Sequence, residues 1–123
     1  MALFASQQKL NNLIAFVDLN HQQLDGYTDD ICALGDVRKK FEDFGWHAQM
    51  VDGHNVEAIY NAIERAKQQT SAPSMIVLNT VKGKGWSVTE GKTNIHHISI
   101  TKQQMAEAEQ EINSRIAGLR AKS

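Results

Sequence analysis

Cysteine and proline are scarce in this sequence, which has one residue of each among 123. The single Cys32 excludes an internal disulfide framework and a zinc site built from several cysteines, and we interpret it as a small packing residue. No run approaches the roughly 20 consecutive apolar residues that a membrane span needs. Residues 1–5 are too short, and lack the basic leader, to be a secretory signal. These absences predict a cytoplasmic globular protein with no membrane partner.

An excess of charge of either sign is also missing. Thirteen lysine and arginine residues face fourteen aspartate and glutamate residues, for a net charge of -1. Nucleic-acid binding favours a basic stripe with interleaved aromatic side chains, and the sequence has none, so we predict no nucleic-acid partner. A hydrophobic content of 41% in 123 residues is enough for the core of one domain, or of part of one.

Strand-like and helix-like segments alternate along the chain. Residues 13–17 and 75–78 are continuous apolar runs, which are typical of strands covered on both faces of a parallel sheet. Residues 46–51 also look extended. Asp36 and Asn55 are predicted N-caps of the two helices that lie between these segments. The alternation predicts an α/β fold with a mostly parallel sheet.

A terminal helix is predicted after residue 101. Thr101 and Gln104 have the spacing of a capping box. A stripe of apolar residues along this helix is most simply a packing face; it consists of Met105, Ala108, Ile112, Ile116 and Leu119. We expect Trp46 in the core and Trp86 in a loop. Three strands make a small sheet whose two edges are open. We expect missing sequence or a partner to cover these edges, and we expect the protein to form a homo-oligomer.

Two loops carry the residues of greatest chemical interest. Residues 17–26 follow the first apolar run, and residues 80–85 follow the last. Ligands of open α/β sheets bind beyond the carboxyl ends of the strands. If the two strands run parallel, Asn20 and Lys82 can approach each other, whereas antiparallel strands would keep them apart.

The first loop offers oxygens suited to Mg²⁺, which prefers six oxygen ligands and often shares substrate phosphates. The Asn20 side chain and the Gln22 backbone carbonyl are the candidate neutral ligands. A carboxylate is still required, and Asp18 and Asp25 are the local candidates. On spacing alone, a polar strand end followed by a tight turn at residues 24–26 is the simpler interpretation.

The second loop offers a cation beside flexible backbone. Lys82 with Gly83 and Gly85 can cradle phosphate, although the spacing matches neither a Walker loop nor a dinucleotide fingerprint. A solvated basic turn is the simpler interpretation. His96 and His97 follow; because successive extended side chains point to opposite faces, one of them can face a cleft as a proton carrier, or both can be surface residues. The three other histidines carry no pattern.

Several of these motifs together resemble the thiamine diphosphate binding domain of transketolase. They keep the family's order and approximate spacing up to His96, and the length resembles the separate amino-terminal subunit of split transketolases. The matching segments are residues 12–20, 23–26, 44–46, 51–54 and 80–85.

The resemblance implies a role for four residues. Asn20 matches the magnesium-ligating asparagine, and Gln22 supplies the matching backbone carbonyl. Lys82 matches the lysine near the cofactor diphosphate. His96 matches the histidine that contacts cofactor and sugar substrate, usually within Trp-His-Gly. Here residues 95–97 read Ile-His-His, which leaves His97 as the alternative.

The resemblance also implies what the chain lacks. The family's Gly-Asp-Gly motif, which supplies the acidic magnesium ligand, is absent, so we expect residues 1–123 to be one partial domain of the three-layer α/β/α thiamine diphosphate fold. The parent enzyme moves a two-carbon ketol unit between sugar phosphates in the pentose phosphate pathway, with a complementary subunit that carries the pyrimidine-binding domain. We expect the isolated chain to be inactive.

Two other functions fit parts of the sequence. A non-catalytic or degenerate interaction module would pair with a partner subunit, without responding to the cofactor. A stand-alone flavodoxin-like domain has the right alternation of elements, but it does not explain the two loops together.

Overall fold

The computed structural model describes residues 1–121 as five helices and five strands. In chain order they are α1 (Ala2–Gln7), β1 (Ile14–Leu19), β2 (Gln22–Gln23), β3 (Gly26–Tyr27), α2 (Thr28–Ile31), α3 (Val37–Asp43), β4 (His47–Asp52), α4 (Val56–Lys67), β5 (Ser74–Asn79) and α5 (Lys102–Arg120). Between residues 1 and 121, no helix is both long and apolar enough to cross a membrane.

The last strand in sequence occupies the centre of the main sheet. The order is β1-β5-β4, and β5 pairs in parallel with both neighbours. Leu19 and Asp52 are both in register with Asn79, so the three strands end level with one another. The predicted parallel α/β architecture is therefore confirmed, and the three carboxyl ends meet at one edge.

Helices cover the sheet on both faces, which explains the continuous apolar run of β5. Ile76 points to one face, where it packs with Ala62 and Ala66 of α4. Met75 and Val77 point to the other face and join a second buried cluster. The other members of that cluster are Ala5, Leu19, Val37 and Trp46. This three-layer arrangement confirms the predicted fold class and the core position of Trp46.

The predicted helix starts are confirmed by their side-chain caps. The Asp36 carboxylate accepts the Lys39 N–H at 2.8 Å, and Asn55 Oδ1 accepts the Ala58 N–H at 3.0 Å. Thr101 begins α5 with a complete capping box. Each cap satisfies one of the backbone donors that a helix leaves open at its start.

Two packing predictions were wrong. Cys32 is exposed, because it follows the short helix α2 at the surface. The apolar stripe of α5 does not form a packing face within the described chain: Met105, Ile112 and Ile116 are all exposed. Instead α5 contacts the preceding loop through polar side chains such as Glu111.

A small hairpin was not predicted. Gln22–Gln23 pairs antiparallel with Gly26–Tyr27, so the turn expected at residues 24–26 is the tip of this hairpin. It projects from the end of β1.

Candidate active site at the carboxyl edge of the sheet

Polar segments leave all three strands at the same edge of the sheet. Residues 18–22 comprise the end of β1 and the start of the loop after it. Residues 52–54 do the same for β4, and residues 79–82 for β5. The level ends of the strands bring these segments together. This edge is where ligands of open α/β sheets bind.

The Asn20 side chain is held from two directions. Its Oδ1 accepts the Gln22 N–H at 2.9 Å, and its Nδ2 donates to Asp18 Oδ2 at 3.4 Å. The other oxygen of Asp18 accepts the Thr80 hydroxyl. Because an amide oxygen has two lone pairs, Asn20 Oδ1 can still accept a metal ion, while Asp18 acts as a brace between β1 and β5.

The Gln22 carbonyl also lies outside the hairpin ladder. Gln22 is in register with Tyr27, and the Thr28 N–H donates to the His21 carbonyl at 2.9 Å. This pattern makes Gln22 and Tyr27 a non-hydrogen-bonded pair, whose backbone groups point away from the partner strand. The Gln22 N–H already points at Asn20 Oδ1, so its carbonyl points to the same side.

His21 stands between these two residues in a left-handed conformation. Its φ is +61°, which is uncommon for a residue with a side chain. Its Nε2 lies 2.9 Å from Asn79 Oδ1, so this ring nitrogen donates to the amide oxygen. The contact ties the loop after β1 to the end of β5.

The loop that carries Lys82 is closed on itself. The Gly91 N–H donates to the Lys82 carbonyl at 2.9 Å. The Thr89 side chain is buried, and its hydroxyl lies 3.0 Å from the Gly83 carbonyl. Gly83 has φ +72°, and an added Cβ would lie 2.6 Å from the Thr89 carbonyl oxygen. Lys82 is thus a partly buried cation at the base of a compact loop.

The two loops meet a second time at Gly91. Its carbonyl accepts from Gln22 Nε2 and from the Tyr27 hydroxyl, both at 3.3 Å. Together with the Asp18–Thr80 hydrogen bond, these contacts join the loops that carry the metal and phosphate candidates. The two loops therefore meet as the parallel strands predict, while the approach of Asn20 to Lys82 stays a prediction.

The helix α5 contacts the loop at residues 80–91 that carries Lys82, called the lysine loop below. Glu111 accepts from the Ser87 hydroxyl at 2.7 Å, and this hydrogen bond lowers the pKa of the Glu111 carboxyl. Glu90 accepts from the Lys84 ammonium at 2.6 Å, which lowers the pKa of Glu90. Arg115 pairs with Glu111 at 2.7 Å. These ion pairs and hydrogen bonds brace the loop from the side of α5.

A further histidine lies at this edge without having been predicted there. His54 Nε2 accepts the Val81 N–H at 2.7 Å. His21 belongs to no motif, and His54 ends the matching segment at residues 51–54 without having been given a role. Their position directly after β1 and β4 was the available signal.

His96 and His97 lie in the segment between the lysine loop and α5. Both are exposed, and their rings pack edge to face with centroids 4.7 Å apart. The assignment of His96 over His97 as the cleft histidine stays a prediction.

The edge offers a particular set of donors. Within residues 1–121, no cluster of three or more histidine, cysteine or acidic side chains is arranged to hold a metal ion. The predicted ligands at this edge supply two neutral oxygens, from Asn20 and Gln22, and Lys82 follows β5 at the same edge. Such a set suits a hard cation that also binds phosphate oxygens. The two oxygens fit the uncharged protein ligands of a magnesium ion.

The sequence matches one family and several of its members. The family described as "Transketolase, thiamine diphosphate binding domain" matches residues 1–115. A 6-deoxy-6-sulfo-D-fructose transketolase subunit of Clostridium sp. (strain MSTE9) is 46% identical over 111 residues, which cover 90% of this chain and 40% of that protein. An apulose-4-phosphate transketolase subunit of Phocaeicola vulgatus is 33% identical over 118 residues, which cover 96% of this chain and 42% of that protein. This chain therefore spans about two fifths of the length of each relative.

Solved structures give the same result for the fold. A transketolase from Campylobacter jejuni superposes with a TM-score of 0.82 at 27% identity, over 91% of this chain and 17% of that one. A transketolase from Leishmania mexicana superposes with a TM-score of 0.65 at 22% identity, over 98% of this chain and 21% of that one. At this low identity the second likeness concerns the fold alone.

Proposed function

Because this chain belongs to the transketolase family of thiamine diphosphate binding domains, we propose that its two loops hold the diphosphate end of that cofactor together with Mg²⁺. The observation that carries the proposal is the meeting of the loops at the carboxyl edge, through Asp18 with Thr80 and through Gly91 with Gln22 and Tyr27. When bound, thiamine diphosphate supplies the carbanion chemistry that moves a two-carbon ketol unit between sugar phosphates.

Asn20 and Gln22 are the proposed protein ligands of Mg²⁺ from this chain. The Asn20 amide is oriented by two hydrogen bonds, and the Gln22 carbonyl is left outside the ladder. Both ligands are neutral, and both Asp18 oxygens already accept hydrogen bonds. We propose that the acidic ligand is the aspartate of the family's Gly-Asp-Gly motif, which residues 1–123 do not contain.

Lys82 is the proposed partner of the diphosphate. Its ammonium is a point charge on a partly buried stem, where solvent screens it less than at an open surface. His96 is the proposed catalytic residue from this chain: it donates a hydrogen bond to a hydroxyl or carbonyl of the sugar phosphate and contacts the cofactor. His97 is its alternative in this role.

The whole enzyme of which this domain is a part carries further proposals. Several relatives are named as transketolase subunits, which supports pairing with a complementary subunit that bears the pyrimidine-binding domain. We place the enzyme in the cytoplasm, acting on sugar phosphates of the pentose phosphate pathway. The isolated chain is proposed to be one partial domain and inactive, since the two metal ligands proposed for it are both neutral.

Cofactor binding by the purified chain tests this function. Thiamine diphosphate with Mg²⁺ at about 100 times its dissociation constant is expected to add roughly 2.7 kcal/mol to the free energy of unfolding. Asn20→Ala should remove the Mg²⁺ dependence, and Lys82→Ala should weaken diphosphate binding. Lys92→Ala is the matched control, because Lys92 is exposed just beyond the same loop. Ketol transfer by the isolated chain would contradict the proposed inactivity.

An apolar groove favours a second candidate function, a non-catalytic module that binds a partner subunit. The groove has a volume of about 550 Å³ and is lined by Phe4, Leu13, Phe41 and Trp46 among others. Phe4 is 65% exposed, which is costly for a large apolar side chain without a partner. This second function would be favoured if the chain formed a stable oligomer and its thermal midpoint did not respond to millimolar thiamine diphosphate and Mg²⁺.

A further inference from the structure

We propose that His54 is a positioning residue of the diphosphate site, which fixes the backbone where the lysine loop leaves the sheet. The proposal rests on the proposed role of Lys82 toward the diphosphate.

The turn at residues 52–54 is pressed against the end of β5. The Gly53 N–H donates to the Asn79 carbonyl at 2.9 Å. A Cβ on Gly53 would lie 2.4 Å from Thr80 Cγ2, closer than real Cβ contacts allow. Asp52 Oδ1 accepts the His54 N–H at 2.9 Å and closes the turn. The backbone of His54 is thus held against β5 by contacts that do not involve its imidazole.

The His54 imidazole acts as a hydrogen-bond acceptor where, inside the sheet, a backbone carbonyl of the neighbouring strand would accept. The parallel ladder ends at Asn79, so the N–H of Val81 lies beyond the last paired residue. His54 Nε2 accepts this N–H at 2.7 Å. Only a neutral imidazole with its proton on Nδ1 can accept at Nε2. The side chain therefore extends the hydrogen bonding of the sheet by one step on the β4 side.

This contact immediately precedes Lys82. On the β1 side the loop is held by the Thr80 hydroxyl on Asp18, and its far end is closed by the Gly91 N–H on the Lys82 carbonyl. His54 supplies the remaining constraint, from the opposite neighbour of β5. Removing the imidazole leaves the Val81 N–H without its acceptor and lets the backbone before the ammonium move.

Hydrogen exchange tests the contact itself. In the full 123-residue chain, His54→Ala should speed exchange of the Val81 amide by about five- to tenfold, the equilibrium factor of one hydrogen bond. His54→Gln supplies an amide oxygen and should restore part of the protection. His47→Ala is the matched control, because His47 begins the strand that His54 follows. Unchanged exchange at Val81 in His54→Ala overturns the proposal.

Calorimetric titration with thiamine diphosphate and Mg²⁺ tests the consequence. His54→Ala should weaken binding by about five- to tenfold, His54→Gln by less, and His47→Ala not at all. A wild-type chain that does not bind the cofactor overturns the proposed function, whatever the Val81 amide shows. A wild type that binds, with unchanged affinity in His54→Ala, overturns the role of His54 alone. If His54→Ala does not fold, His54→Gln against wild type decides both measurements.

Discussion

At the scale of single residues, Gly53 is needed for the space that it leaves empty. An added Cβ would lie 2.4 Å from Thr80 Cγ2 and 3.0 Å from Leu78 Cβ. We therefore expect Gly53→Ala to lower the free energy of unfolding by about 1–3 kcal/mol, measured by urea denaturation. Gly118→Ala is the control: it lies in α5 with no atom within 4 Å of the added Cβ, and it should stabilise the helix by up to about 1 kcal/mol. Equal effects would contradict this packing argument.

His21 permits a test that separates backbone strain from a side-chain contact. Its φ of +61° disfavours any residue with a Cβ, and its ring donates to Asn79. His21→Ala keeps the strain and loses the hydrogen bond, whereas His21→Gly loses both. We expect His21→Gly to be about 1 kcal/mol more stable than His21→Ala in chemical denaturation. The reverse order would show that the left-handed conformation is not strained.

Residue identities predicted the principal site candidates but not the contacts that hold them. Asn20 and Lys82 could be picked out because they follow apolar strands and have the right chemistry. The contacts of His21 and His54 could not be predicted, because they depend on a positive φ and on a backbone N–H beyond the ladder. The exposure of Cys32 was missed because the residues around a small apolar side chain do not indicate whether it faces the core or the solvent.

At the scale of elements, α5 acts as a support for the lysine loop. Its Glu111 accepts from Ser87, and Glu90 in the loop accepts from Lys84. These hydrogen bonds set the pKa of each glutamate below its ordinary value of 4.5. A lowered carboxyl pKa adds stability above the ordinary pKa, and this contribution is lost as the pH falls through the lowered value.

Acidification should therefore loosen the loop from the helix. We expect Glu111→Gln to lower the thermal midpoint at neutral pH and to converge with wild type as the pH falls well below 4.5. Glu109→Gln, on an exposed position of the same helix, is the control and should follow wild type throughout. A difference that persists at acidic pH would show that Glu111 acts through packing and not through its charge.

Helix ends were predictable, whereas the role of a helix face was not. The capping box of Thr101 and Gln104 follows from local hydrogen bonding, and it forms as predicted. The stripe with Met105 and Ile112 has helical spacing, yet both side chains are exposed. A periodic pattern indicates which residues share a face, but not whether a partner for that face lies in the same chain.

At the scale of the whole molecule, large apolar side chains of the described residues 1–121 are exposed on two surfaces. One is the groove lined by Phe4 and Leu13, and the other is the α5 stripe that includes Ile112. We expect the chain to associate as its concentration rises, measured by light scattering. Phe4→Glu and Ile112→Glu should each reduce association if the corresponding surface is used, and together they identify it. A monomer at every concentration would contradict the proposed homo-oligomer.

The fold class was predictable at this scale, but the strand order was not. Continuous apolar runs at residues 13–17 and 75–78 indicated a parallel sheet covered on both faces. This is confirmed for β5, whereas Phe16 of β1 is 48% exposed. Nothing local places β5 between β1 and β4, because that order comes from pairings between distant segments, such as Ile14 with Ser74.

The central position of β5 has a consequence for synthesis of the protein on the ribosome. In the described sheet neither β1 nor β4 pairs with the other, and both pair with a strand that ends at Asn79. Within the described residues, β1 and β4 therefore lack their shared partner until β5 emerges, and unpaired strands invite aggregation during synthesis. β5 completes the described sheet and leads directly into the lysine loop. The sheet and the site can therefore form only after this strand has been synthesised.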